Sequence, residues 1–297
     1  RKSNKSSIQN NRNTYWQLKN YLTYTNTFGK HNISAMVGHE MWESRWEFIS
    51  AENTDLPSNE VHSPALGNGT PKIGSGFGSS AMASIFTRET YNYDSRYYLT
   101  YTFRYDGSSN FGPENRWAGF HSLAASWRFS NEKFFQPLTN VISKLKLRAS
   151  YGLVGNDKIG GSKNRFLYLS EMLMNNTGVK SYFGENLQTS SNGITFKRYA
   201  NSAITWERAK KQNYAIELSL FGDLDIIAEY YREKRTDIYM TRADIPSTMG
   251  LQTSIGANIG EATAHGVDIQ VEYRKNWNKD LWTSARGNFT FARSRYD

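Results

Sequence analysis

The sequence predicts an all-β chain: an antiparallel, up-and-down sheet of about ten strands, of the transmembrane β-barrel kind. Three observations predict it. Apolar and polar residues alternate with period two over ten segments, near 14–26, 31–43, 80–90, 95–106, 117–130, 143–152, 203–221, 224–240, 257–275 and 280–293; that period marks strands with one apolar and one polar face. The apolar face is unusually aromatic, in a chain with 19 Tyr, 16 Phe and 8 Trp. Connections alternate between short and long, which in a meander gathers the long loops at one end, as in outer-membrane barrels.

The first two strands meet at Phe28-Gly29-Lys30, followed by a long loop over 44–79. The next pair, 80–90 and 95–106, turns at 91–94. Its second member carries the clearest alternation: Tyr97, Leu99, Tyr101, Phe103 and Tyr105 on one face, Thr100, Thr102 and Arg104 on the other. Aromatic side chains on a lipid-facing surface explain that face, because amphipathic rings suit the headgroup level. The strand then runs into DGSS (106–109), where Asp106 is expected to accept backbone bonds and Gly107 to take positive φ as a loop begins. After 117–130, the connection 131–142 is of medium length on the short-turn side, and 143–152 leads to a long loop, 153–202. The hairpin NYAIELSLFGDLDIIAEYY places Tyr214, Ile216, Leu218 and Leu220 on one face, and Leu224, Ile226, Ala228 and Tyr230 repeat the pattern after Phe221-Gly222-Asp223. A long loop at 241–256, a strand at 257–275, a short turn at 276–279 and a strand at 280–293 complete the pass.

Composition excludes several classes. A mean hydropathy of −0.67 without an apolar run near 18 residues excludes a transmembrane helix, though not membrane-crossing strands. The absence of cysteine removes disulfide scaffolds and zinc–thiolate sites. The net charge of +9 is scattered singly and interleaved with acids, as in EYYREKRTD, so no nucleic-acid stripe forms and no nucleic-acid partner is expected. GSGFGSS (74–80) lacks a GK[ST] ending and reads as flexible loop. His31, His39, His62, His121 and His265 show no metal-ligand spacing. Glu217 and Glu229 fall in a row of polar positions rather than forming a glycosidase pair. No cofactor, metal or catalytic residue is expected, and no enzymatic activity.

Six segments, DGSSNFG (106–112), FHSLAASWRFSNEKFF (120–135), LKLRASYGLVGN (145–156), ITWERAKKQNYAIEL (204–218), YYREKRTDIYM (230–240) and NIGEATAHGVDI (258–269), occur in an order that resembles the barrel of SusC/RagA-type TonB-linked outer-membrane transporters of Bacteroidota. One departure is Thr263, Ala264 and His265 before Gly266, where that family usually has Asn and often Lys. The resemblance implies a barrel of about 22 strands closed by a plug, a SusD-like surface lipoprotein as lid, energy delivered through TonB, and an oligosaccharide or peptide as cargo. Outer-membrane lipid would surround the wall. Residues 1–297 would then be part of the barrel domain, with the plug, the N-terminal domain and the last strands outside this piece. Strands 14–26 and 280–293 are accordingly expected to be pairing edges rather than protected natural edges.

The polar parity selects the lumen candidates, facing substrate or plug: Arg104, Asp106, Arg128, Arg148, Glu217, Glu229, Asp268, Glu272 and Arg274, with Lys146 and Asp225 in the same row. Placed in lipid instead, an Arg or Lys at the bilayer midplane would cost about 2–4 kcal/mol. Two alternatives stay open at this level. A passive porin or adhesin barrel would lack an upstream plug. A secreted β-sandwich or carbohydrate-degrading enzyme would be soluble without detergent and carry a paired carboxylate site in a cleft, and a sandwich would bury its aromatic row under a second sheet.

Overall fold

A computed structural model describes residues 4–159, 166–246, 248 and 254–297. The parts of the predicted loops at 160–165, 247 and 249–253 lie outside the described residues. The strands are β1 (Lys5–Phe28), β2 (His31–Thr54), β3 (Lys72–Tyr93), β4 (Tyr97–Ser108), β5 (Trp117–Arg128), β6 (Ile142–Asn156), β7 (Glu171–Phe183), β8 (Thr189–Arg198), β9 (Glu207–Leu220), β10 (Leu224–Thr241), β11 (Gly256–Asn276) and β12 (Trp282–Tyr296). Ten of them form one sheet in the order β1-β2-β3-β4-β5-β6-β9-β10-β11-β12, while β7 and β8 pair with each other. By packing, the chain divides into two units, residues 1–20 with 39–83 and residues 21–38 with 84–297.

In the second unit the two faces differ as the alternation requires. Tyr97, Leu99 and Tyr101 share a face with their cross-strand partners Trp127, Ala125 and Leu123. That apolar face is the more exposed one: Tyr214 and Ile216 are 52% and 50% exposed, whereas Ala215 and Ser219 on the polar face are 5% and 9%. A second sheet packed on the aromatics would bury them, so the sandwich alternative fails. Apolar outside and polar inside is the arrangement of a barrel wall in lipid.

Backbone bonds fix the ends of the strands. Phe221 donates to Val141 at 2.8 Å, Arg128 to Arg96 at 2.7 Å and Arg274 to Asp223 at 2.7 Å, gathering the short connections at one end, here the near end. The connections after β4, β6 and β10 leave from the opposite, far end. In the three-residue β9–β10 connection, Phe221 (56°) and Gly222 (76°) both have positive φ, and Asp223 N–H donates to the Leu220 carbonyl at 3.1 Å.

Three expectations need correction. GSGFGSS is not a flexible loop but lies within β3. Its alternating glycines leave room for rings of β2: a Cβ on Gly76 would stand 2.6 Å from Phe48, and one on Gly78 2.7 Å from Trp46. Gly107 is not a positive-φ turn residue but the penultimate residue of β4, kept small because the Trp117 indole lies 2.6 Å from where its Cβ would be. Asp106 accepts from the Arg104 side chain (3.1 and 3.3 Å), not from the loop backbone. The loop boundaries also move. β1 begins and β2 ends about ten residues further out than the alternation indicates, and 153–202 contains the β7–β8 hairpin.

The near-end connection after β5 folds into short 3-10 turns over Phe129–Asn131 and Lys133–Leu138. Glu132, 6% exposed, ties it to the sheet. Its carboxylate accepts from the Tyr97 hydroxyl (2.6 Å), the Trp127 indole N–H (3.0 Å) and the Arg96 guanidinium (2.8 Å). Those donors, the Tyr97 hydroxyl first, hold the carboxyl below its ordinary value of 4.5. A depressed carboxyl stabilises the fold above its unfolded-state pKa and loses that contribution as pH falls through the folded value. Amides 129–139 are therefore expected to lose hydrogen-exchange protection, after correction for intrinsic rates, only below pH 4.5. Glu132→Gln should weaken protection at neutral pH and flatten the acid dependence. An unchanged acid profile in that variant would show that Glu132 is not the tie.

Candidate functional site

The polar face across β6, β9, β10, β11 and β12 carries a continuous ladder of opposite charges. Register builds it: Lys146 stands opposite Glu217 and Arg148 opposite Ala215, and on the next strand Glu229 also pairs with Ala215. Arg148 consequently reaches two carboxylates, Glu217 at 2.8 Å through Nε and Glu229 through Nη2. Glu217 further pairs with Lys144 at 2.6 Å and lies 3.9 Å from Lys146. Asn213 donates to Glu229 at 3.3 Å. Further along, Arg274 contacts Asp225 (3.3 Å) and Glu272 (3.2 Å), and Arg286 contacts Glu272 (2.8 Å). Asp225 also accepts from Ser219.

Five of the nine predicted residues therefore stand in these ion pairs, Arg148, Glu217, Glu229, Glu272 and Arg274, and Asp268 lies on the same face opposite Glu229. Arg104 and Asp106 form a separate pair on β4, with the Arg104 guanidinium 5.4 Å from the Phe86 ring centre. Arg128 lies at the near end of β5, directly opposite Lys146. Three spots of the face oppose like charges: Arg128 with Lys146, Glu229 with Asp268, and Asp225 with Glu272, the last bridged by Arg274. Such pairs are unfavourable unless something neutralises them. Arg128 Nε and Asp268 Oδ1 are both buried without a hydrogen-bond partner among the described residues.

The far end holds a feature that the alternation did not indicate. Phe111 is 0% exposed, Ile204 1% and Trp206 2%, and they form a small core beneath the connections. The Trp206 ring lies 5.0 Å from Phe111 and 5.4 Å from Phe120. Polar bonds lace the same segments together. Ser108 and Asn110 donate to the Asp157 carboxylate at 2.7 and 3.3 Å, and Asn110 also to the Asp157 carbonyl at 3.1 Å. Asn115 donates to the Ser202 carbonyl at 3.1 Å, and the Trp206 indole to the Arg116 carbonyl at 3.3 Å. Asn201 donates to the Gly256 carbonyl at 2.9 Å, and Asn258 to those of Thr205 and Asp237 at 2.9 and 2.7 Å. DGSSNFG thus carries the end of β4 into the first of three long connections that these contacts fix together. The signal available in sequence was Ile204 and Trp206 standing ahead of the polar run ERAKKQN, apolar residues too isolated to belong to the strand face.

The β7–β8 hairpin exposes apolar side chains on both faces, including Met172, Leu173, Met174, Tyr182, Phe183 and Ile194. Among the described residues, no group of three or more His, Cys, Asp or Glu could hold a metal ion. The arrangement is a wall with a polar charged side, an apolar side and a fixed rim of loops.

The family described as "TonB dependent receptor-like, beta-barrel" matches residues 2–297. TonB-dependent receptor P3 of Formosa agariphila is 32% identical over 281 residues, which are 93% of this chain and 26% of that protein. TonB-dependent receptor SusC of Bacteroides thetaiotaomicron is 28% identical over 277 residues, 91% of this chain and 26% of its own. The solved RagAB peptide importer in its open-open state superposes with a TM-score of 0.83 at 24% identity, covering 98% of this chain and 31% of that one. The chain spans about a quarter of the length of the curated relatives it matches.

Proposed function

Since the chain belongs to the TonB-dependent receptor β-barrel family of outer-membrane transporters, we propose that the receptor containing this wall actively imports an oligomeric nutrient, a glycan or a peptide, using energy delivered through TonB. The observation that carries the reading is the two-sidedness of the second unit. A charge ladder from Lys144 to Arg286 suits water and cargo, while the exposed row from Tyr97 to Tyr101 suits lipid. Arg128 and Asp268, neither in an ion pair among the described residues, offer charge to a plug or to passing cargo. Arg104 and Asp106 extend the same role towards the far end.

A SusD-like lipoprotein is the proposed lid, and the β7–β8 hairpin is its proposed seat. Exposed apolar surface of this extent marks an interaction site, and methionines adapt to the surface they meet. One uptake experiment tests both parts with the full-length receptor. Uptake of a labelled oligomeric nutrient should cease in cells lacking TonB. In cells with TonB, replacing 171–198 by a short Gly-Ser linker should cut both uptake and lid co-purification. Uptake that persists without TonB would favour a passive porin, and full lid recovery without the hairpin would remove it as the seat.

A further inference from the structure

We propose that the near-end connection after β5, residues 132–141, is an interfacial foot that inserts Phe134 and Leu138 into the phospholipid leaflet on the periplasmic side. The proposal concerns a segment outside the strands, and it requires only that the wall sit in the outer membrane.

The foot continues the lipid-facing surface without a break. Tyr97 and Trp127 belong to the apolar face and stack with ring centres 6.1 Å apart. Trp127 meets Phe129 edge-on at 4.7 Å, and Phe129 in turn meets Phe134 at 5.2 Å and Phe135 at 5.3 Å. The aromatic file therefore leaves the strand and runs on into the 3-10 turns. Within them Phe135 is buried at 4% exposure and serves as the anchor, while Phe134 (64%), Leu138 (51%) and Val141 (47%) are bare. Ile142, the first residue of β6, stands opposite Leu220 on the apolar face, ahead of a register shift at Ser143, so the foot rejoins that face where it re-enters the sheet.

Charge and polarity fit the same position. The polar tips of Tyr97 and Trp127 turn towards Glu132, away from their rings, as groups at a headgroup boundary must. Arg96, paired with Glu132 and Asp94, lies over the Tyr93 and Tyr97 rings at 5.8 and 5.7 Å. Lys30 pairs with Asp94 at 2.9 Å at the same level. This is the composition of a bilayer interface, where ionic groups and amphipathic rings share one layer. Short turns identify the end as periplasmic, and that leaflet supplies glycerophospholipid.

The test uses the full-length receptor in vesicles of phosphatidylethanolamine and phosphatidylglycerol, with a single nitroxide at position 134 or, in a second variant, 138. Collision rates with oxygen and with a water-soluble nickel chelate give depth. A label at 99 on the apolar face and one at 185 beside the β7–β8 turn are the lipid and water references. The proposal expects an oxygen-to-nickel ratio at 134 and 138 several-fold above that at 185, approaching that at 99. A ratio equal to that at 185 at both positions would overturn it, leaving the foot in water. Labels shielded from both reagents would also overturn it, because another protein segment would then cover the foot.

Discussion

Replacing Trp206 by alanine is expected to open the far-end cluster while leaving the sheet folded. The indole is 2% exposed, wedged against Phe111 and Phe120, and donates to the Arg116 carbonyl. Large-to-small changes at such a site cost about 3–5 kcal/mol, here charged to a local unit rather than to the strands. Amides 108–116 and 199–206 should then exchange about 10²- to several 10³-fold faster, since each ~1.4 kcal/mol of local opening is a decade. Trp206→Phe should recover most of the protection, because it restores the ring and loses only the indole donor. Unchanged exchange in Trp206→Ala would mean that the connections are held by the Asn and Ser bonds alone.

The second large effect is expected at Gly155. A Cβ there would stand 2.0 Å from Cζ of the Phe120 ring. That ring is 6% exposed and pinned by Trp206, so it has nowhere to turn. Gly155→Val should destabilise by about 1–3 kcal/mol through overpacking, read as a lower midpoint of thermal unfolding in detergent. Shortening the ring removes the obstacle, so Phe120→Ala with Gly155→Val should lose clearly less than the sum of the two single changes. Strict additivity would show that the two residues do not share the space.

Much of the sheet was legible because one face must differ from the other. In the β9–β10 hairpin the alternation, the turn at Phe221 and Gly222, and the register Tyr214↔Tyr230 all follow from counting outward from the loop. Faces were legible for the same reason, which is why Arg148, Glu217 and Glu229 fell on one side. Their mutual contact was not legible. Glu217 and Glu229 are related across a short turn, but Arg148 joins them only through the β6–β9 register, and a long connection separates those strands. The outer reach of β1 was missed because the alternation fades there, whereas in β2 it runs on through Trp46 and Phe48. RKSNKSSIQNNRN has no apolar face, although its residues from Lys5 onward lie in a strand. The glycines of β3 misled for a different reason. Their purpose is visible only beside Trp46 and Phe48, residues about thirty positions earlier that no local window includes. The far-end cluster was hidden because its parts come from three connections and carry no common period.

The sheet order has a consequence for how the wall assembles. Every neighbouring pair but one is joined by a single connection that ends where the next strand begins; the exception is β6 with β9, which must find each other across 157–206. Closing that span rather than the 221–223 turn is roughly four doublings of loop length, about 2.4 kcal/mol of additional closure entropy at ~0.6 kcal/mol each. The β7–β8 hairpin lies within the span and draws residues 171 and 198 together before β9 arrives, which shortens the distance still to be closed. Among the described strand pairs, the β6–β9 seam is therefore expected to carry the largest closure cost and to form late. A change confined to the hairpin should register first as a delay in assembly, even where the finished barrel is equally stable.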